Sequence, residues 1–149
     1  MGIEIYENKL TVDSYIEIKK TAFKINNSKL QIEKSLKNDL YDVVAVDGNK
    51  LVGMGRIVGD GAIYWYLQDI VVIPEYQGKG IGRIIVERLI DYIYDNSLSD
   101  TKTTIGLMAA KGKEGFYEKF GFVVRPNDYQ GPEMIQIISK WFLGGMKVG

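Results

Sequence analysis

The chain of 149 residues contains no cysteine and no histidine. Lack of a thiol excludes disulfides, thiolate metal ligands and a covalent cysteinyl intermediate. Lack of an imidazole excludes zinc sites of the usual ligand types and a Ser-His-Asp triad. Any proton transfer must run through Asp, Glu, Tyr, Lys or water. Neither sign of charge is in excess, because 19 basic and 19 acidic side chains cancel. That balance offers nothing to draw in nucleic acid or an anionic membrane surface. Long hydrophobic runs are missing too: each apolar stretch is interrupted within a few residues, too soon to span a bilayer. The N-terminus carries no basic region followed by an apolar segment. The expectation is a cytoplasmic protein with no nucleic-acid partner, no membrane partner and no metal.

Proline is also scarce, at three residues, while 46% of the chain is apolar. That suits one globular domain over residues 1–149 with a real core. Ile3 and Ile5 alternate with polar residues, as in a short strand. Val12 to Phe23 and Ser28 to Leu40 have helical apolar spacing, with Thr11 or Asp13 and Ser28 as caps. Tyr41–Val46 and Leu51–Val58 read as a hairpin joined through Asp47-Gly48-Asn49. Gly59-Asp60-Gly61 is a turn, and Ile63 to Ile73 is expected to be the longest strand. A helix from about Gly80 to Asp95 directs Ile84, Ile85, Leu89, Ile90 and Ile93 inward. Thr103–Met108 follows as a buried strand, Gly112–Phe120 as a short helix and Phe122–Arg125 as a strand. Asn127–Pro132 is a loop, and Glu133–Ile138 a final strand. The order β-α-α-β-β-β-α-β-α-β-β implies an α/β chain with a mixed sheet and helices on both faces.

The most informative stretch is Gln77-Gly78-Lys79-Gly80-Ile81-Gly82, between an apolar strand and an amphipathic helix. A glycine-rich turn opening a helix gathers free N–H groups at the positive end of the helix dipole. Glycines also allow the positive-φ turns that aim successive N–H groups at one point. The ligand class is therefore phosphate or pyrophosphate. A P-loop does not fit, because Gly80 follows Lys79 where a Ser or Thr belongs. A dinucleotide fingerprint does not fit either, with Arg83 where the third glycine belongs and no preceding strand–helix alternation. Gln-x-x-Gly-x-Gly, filled by Gln77, Gly80 and Gly82, is the pattern that matches.

Together, Ile70-Val71-Val72-Ile73-Pro74-Glu75-Tyr76-Gln77-Gly78-Lys79-Gly80-Ile81-Gly82 resembles the acyl-CoA binding motif of the GNAT superfamily of N-acyltransferases. Gly115-Phe116-Tyr117-Glu118-Lys119-Phe120-Gly121-Phe122 resembles its second motif, in the usual order and at a usual separation. The resemblance implies a mostly antiparallel central sheet and acetyl-CoA as co-substrate. It implies transfer of the acetyl group through a ternary complex to a primary amine of a small molecule or peptide. It also implies that the strand at Asp69-Ile70-Val71-Val72 carries a bulge and splays from its neighbour, freeing main-chain groups for the pantetheine amides. Gln77, Gly78, Lys79, Gly80, Ile81, Gly82 and Arg83 would then hold the diphosphate, and Phe116 would pack on the cofactor. Tyr117 would protonate the departing thiolate, a role few other side chains here can fill. Asp69 is the candidate base for the incoming ammonium, with Glu133 and Asp60 as rivals. Strict alternation puts Asp69 with Leu67 and Val71, and a bulge would reverse that parity. Tyr64, Trp65 and Tyr66 put core packing on one face; the other face is expected to be sheet-surface packing, with an acceptor pocket closed by Tyr129 and Gln130 as the alternative. A non-catalytic acyl-CoA sensor is the alternative, and a homodimer is compatible with either.

Overall fold

The computed structural model describes residues 2–143 and 146–148. The chain forms two compact units, Met1–Met108 and Ala109–Gly149. The first contains β1 (Ile3–Glu7), α1 (Val12–Lys19), α2 (Lys29–Lys37), β2 (Tyr41–Asp47), β3 (Lys50–Gly59), β4 (Tyr64–Val72), α3 (Ile81–Asn96) and β5 (Thr104–Gly106). The second contains α4 (Glu114–Glu118), β6 (Trp141–Leu143) and β7 (Met146–Val148). The strands of the first unit lie in the order β1-β2-β3-β4-β5, antiparallel except for the parallel β4–β5 pair. The expected mixed, mostly antiparallel sheet is present.

Local chemistry accounts for the helix starts. Thr11 and Ser14 form a reciprocal capping box on α1, and the Ser28 hydroxyl accepts from Gln31 N to cap α2. Both helices end earlier than the apolar spacing suggested, at Lys19 and Lys37. After α1 the Thr21 hydroxyl takes up the Ile18 carbonyl oxygen, closing the last turn.

The core lies on both faces of the sheet. Val43, Ala45, Val52, Met54 and Ile57 are fully buried with Ile18, Ile85, Val86 and Leu89. Burying each such Val, Ile, Leu or Met side chain is worth about 1.5–3 kcal/mol. Gly55 sets how closely α3 packs: a Cβ there would lie 2.7 Å from Ile85 Cγ2 and 3.0 Å from Leu89 Cδ1. The next residue, Arg56, reaches the opposite way, toward Tyr15 of α1 and Ser35 of α2. Helices therefore cover both faces.

The sheet departs from sequence expectation in several places. β3, not β4, is the longest strand, at 10 residues against 9. β5 is three residues long and only half-buried, because its pairing stops at Gly106. In the second unit neither Phe122–Arg125 nor Glu133–Ile138 is a strand. Met134, Ile135, Ile137 and Ile138 are exposed, and the segment joins no ladder among the described residues. The last two strands fall later and pair with each other as a β6–β7 hairpin. No helix among the described residues is long and apolar enough to cross a membrane.

Candidate functional site

β4 ends at Val72, and Ile73-Pro74 turns the chain through a 3-10 turn at Pro74–Tyr76 into the glycine loop. Gly78 and Gly80 take φ of +75° and +86°, a region that side-chain-bearing residues avoid. A Cβ on either would meet nothing within 4 Å, so these glycines serve backbone conformation and open access. α3 starts at Ile81 with Gly80 as a cap that has no side chain to accept a hydrogen bond. The N–H groups of Gly78, Lys79, Gly80, Ile81, Gly82 and Arg83 consequently have no acceptor among the described residues. A run of unpaired donors ahead of a 16-residue helix is an anion site built of main chain.

The loop side chains divide by what they touch. Gln77 closes the turn, its Nε2 donating to Val72 O at 2.9 Å. Tyr76 donates its hydroxyl to Asp47 Oδ2 at 2.6 Å, anchoring the turn to the β2–β3 hairpin. Lys79 Nζ sits 5.0 Å from the centre of the Tyr76 ring, and Lys50 Nζ lies 5.5 Å from that centre. Arg83 is exposed and pairs with Glu87 at 2.8 Å along the helix, which leaves its other guanidinium nitrogens free.

β4 itself is irregular where the resemblance predicted. Met54 faces Val71 and Arg56 faces Gln68, so Asp69 and Ile70 together oppose Gly55. This is a bulge, and Asp69 takes a positive φ of 53° at it. Ile70 and Val72 point toward the α3 face, within 3.5 and 3.6 Å of the Cβ positions of Gly55 and Gly53. Asp69 points the other way. On its far edge β4 pairs with β5 only over Tyr64–Tyr66. From Leu67 to Val72 that edge has no strand beside it in this sheet, so the main chain of Ile70, Val71 and Val72 lies along an open margin.

Asp69 is surrounded by cations. Its Oδ2 meets Arg56 Nη1 at 3.0 Å and its Oδ1 meets Lys19 Nζ at 3.1 Å, with 15% of the side chain exposed. Arg56, 4% exposed, also donates to Asp39 Oδ2 at 3.1 Å and to the carbonyl and hydroxyl oxygens of Ser35. Burial beside the charge of Asp42 pushes the Asp39 carboxyl up to about 6. The rival Asp60 is occupied differently: its Oδ1 accepts from the N–H groups of Ala62, Ile63 and Tyr64, holding its carboxyl below the usual range. Glu133 lies exposed in the second unit. Sequence reasoning passed over Arg56, although a lone arginine inside the apolar run Leu51–Val58 signals a buried, paired charge.

Of the three consecutive aromatics, Trp65 is in the core, while Tyr64 and Tyr66 are outside it. The Tyr66 ring lies over Gly106, where a Cβ would approach it to 2.8 Å. A cleft of about 690 Å³ adjoins the 3-10 turn, lined by Glu17, Lys20, Asp47, Lys50, Ile73 and Glu75 among others.

In the second unit Tyr117 sits on α4, edge-on to Phe116 at 5.0 Å and to Phe122 at 6.2 Å between ring centres. Burial raises its phenol above the ordinary value, so it is protonated at neutral pH. No hydrogen bond occupies its hydroxyl among the described residues. Phe116 also packs against Phe120 at 5.3 Å. Tyr129 is 95% exposed at the tip of a loop tied by Arg125 Nε to Gly131 O and by Asn127 to the N–H groups of Tyr129 and Gln130.

The unpaired N–H groups of the glycine loop thus follow a bulged strand whose far edge is unpaired in this sheet from Leu67 onward. The sequence profile of the acetyltransferase (GNAT) domain matches residues 39–124, and the chain belongs to that family. Among solved structures it is similar to SA2161 of meticillin-resistant Staphylococcus aureus, titled a probable acetyltransferase, with 29% identity and a TM-score of 0.78, covering 91% of this chain and all of that one. An uncharacterised N-acetyltransferase, ycf52, of Pyropia yezoensis is 29% identical over 87% of this chain and 71% of its own length. Serotonin N-acetyltransferase 2, chloroplastic, of Oryza sativa subsp. japonica is 33% identical over 62% of this chain and 44% of its own length.

Proposed function

We propose that this N-acetyltransferase moves the acetyl group of acetyl-CoA directly to a primary amine of a small molecule or peptide. The carrying observation is the row of unpaired N–H groups from Gly78 to Arg83 at the start of α3. A diphosphate fits that donor set, with Lys79 and Arg83 adding charge at its edge. The open margin of Ile70, Val71 and Val72 offers main-chain partners to an amide-bearing pantetheine. In this reading both units belong to one acetyltransferase domain.

The chemistry follows from what the chain possesses. The neutral amine attacks the thioester carbonyl, forming the C–N bond. Strand N–H groups stabilise the oxyanion of the tetrahedral intermediate. As the C–S bond breaks, the thiolate takes a proton, and Tyr117 is the donor suited to give it, being protonated and free of other hydrogen bonds. A direct ternary-complex route is the economical one, because no cysteine exists to carry the acetyl group. The amine must shed a proton before attack. Each oxygen of Asp69 already faces a cation, which favours water as the first acceptor over the direct base expected from sequence.

Thiol release from acetyl-CoA with a panel of small amines and N-terminal peptides tests this directly. Amine-dependent release that survives a chelator is expected; among the described residues no cluster of three metal-ligating side chains occurs. Tight CoA binding without release for any amine would favour the sensor reading instead. A cytoplasmic site of action belongs to the proposal, tested by fractionation.

A further inference from the structure

We propose that Arg56 is a positioning residue for acyl transfer, pinning the Asp69 bulge that aims the Ile70–Val72 main chain at the thioester. This rests on the reading of the β4 margin as the acyl-CoA track.

A bulge bends its strand and redirects the groups that follow it. Here the bulge residue is not glycine. Asp69 holds a positive φ of 53°, a left-handed conformation that aspartate tolerates at a modest cost and that neighbouring groups can fix in place. Such fixing comes from two sides. Arg56 Nη1 binds one carboxylate oxygen at 3.0 Å from the neighbouring strand, and Lys19 Nζ binds the other at 3.1 Å from α1.

Arg56 cannot swing away. Its Nε is held by Asp39, its Nη2 by the Ser35 carbonyl and hydroxyl oxygens, and its guanidinium lies 5.9 Å from the centre of the Tyr15 ring. The planar fork joins three separate acceptors with fixed angles, which a lysine could not reproduce. One buried side chain therefore ties α1, α2 and the segment before β2 to the one irregular residue of β4. Ile70 follows immediately, within the open margin that runs from Leu67 to Val72. Register along that margin is set by a residue that touches no substrate.

The test uses the whole chain. Arg56→Met, Arg56→Lys, Asp69→Asn, Asp69→Gly and the Asp69→Gly/Arg56→Met double variant are compared at 15 °C. Titration calorimetry with coenzyme A gives affinity, and kcat and KM for acetyl-CoA are scaled to the folded fraction. A displacement of about 1 Å in a catalytic geometry lowers rates by about 100-fold. Arg56→Met should therefore lose at least about tenfold in kcat/KM and bind coenzyme A several-fold more weakly, with Arg56→Lys intermediate. In the Asp69→Gly background the same substitution should add less than about twofold, because the link is already cut. If Arg56→Met fails to fold, Arg56→Lys alone and on Asp69→Gly makes the same comparison.

Folded Arg56→Met with wild-type affinity and kcat/KM would overturn the proposal, since a merely structural arginine changes only stability. Fully additive losses in the double variant would overturn it as well. So would an Asp69→Asn loss confined to kcat with affinity unchanged, which would return Asp69 to the role of base. Should the wild type bind coenzyme A yet acetylate no amine, the function proposed above fails, while the affinity comparison still decides the role of Arg56.

Discussion

Gly80→Asp separates the anion site from the fold that carries it. In the absence of ligand the change is mild. The added Cβ meets nothing within 4 Å, and the φ of +86° costs about 1 kcal/mol for a residue that tolerates left-handed backbone. A carboxylate at the N-terminus of α3 recovers about 0.3–1 kcal/mol from the helix dipole. The unliganded melting temperature should therefore stay within about 3 °C of wild type. With a diphosphate the change is severe. At an effective dielectric of about 20 and a separation of about 6 Å, each pair of like unit charges repels by about 3 kcal/mol. If salt removes half of that, affinity still falls about tenfold. Acetyl-CoA at about 100 times its Kd stabilises the wild type by about 2.7 kcal/mol, a rise of about 8 °C at this chain length. At the same concentration the variant should gain half of that or less. Gly80→Ala introduces the backbone strain without the charge and should keep most of the wild-type rise. A full rise in Gly80→Asp would refute the placement of the diphosphate on this loop.

Tyr117→Phe keeps the edge-on ring packing against Phe116 and Phe122 and removes the proton. General-acid assistance is worth about 100- to 10,000-fold, so single-turnover acetylation should fall at least about tenfold with coenzyme A affinity unchanged. Wild-type single-turnover rates would leave Tyr117 a packing residue. A second effect concerns Asp39, whose carboxyl rises from 3.8 to about 6. Between those values the native state holds a proton that the unfolded chain has released, so this group's stabilisation is present below 3.8 and lost as pH rises through about 6. Asp39→Asn should therefore gain stability relative to wild type as pH climbs across that window in urea titrations, and a pH-independent difference would contradict the assignment.

The glycine loop and the capped helix starts were legible because their signals are local. A Gly-x-Gly at a helix start, a Ser or Thr ahead of an amphipathic run and a glycine in a two-residue hairpin act within a few residues of themselves. The order of elements as far as the short helix α4 followed for the same reason, as did the family resemblance carried by contiguous residues from Ile70 to Gly82 and from Gly115 to Phe122. Glu133–Ile138 shows the limit of local apolar content. Such content marks a segment able to pair, but a strand exists only where a partner pairs with it, and among the described residues none does there. The same limit applied to Asp69. Its parity depended on whether Gly55 would oppose one residue or two, a matter settled by register across two strands rather than by either alone. The partners of Arg56 come from positions 15, 35, 39 and 69, far apart in the chain, so only folding could bring those charges together and decide what Asp69 is free to do.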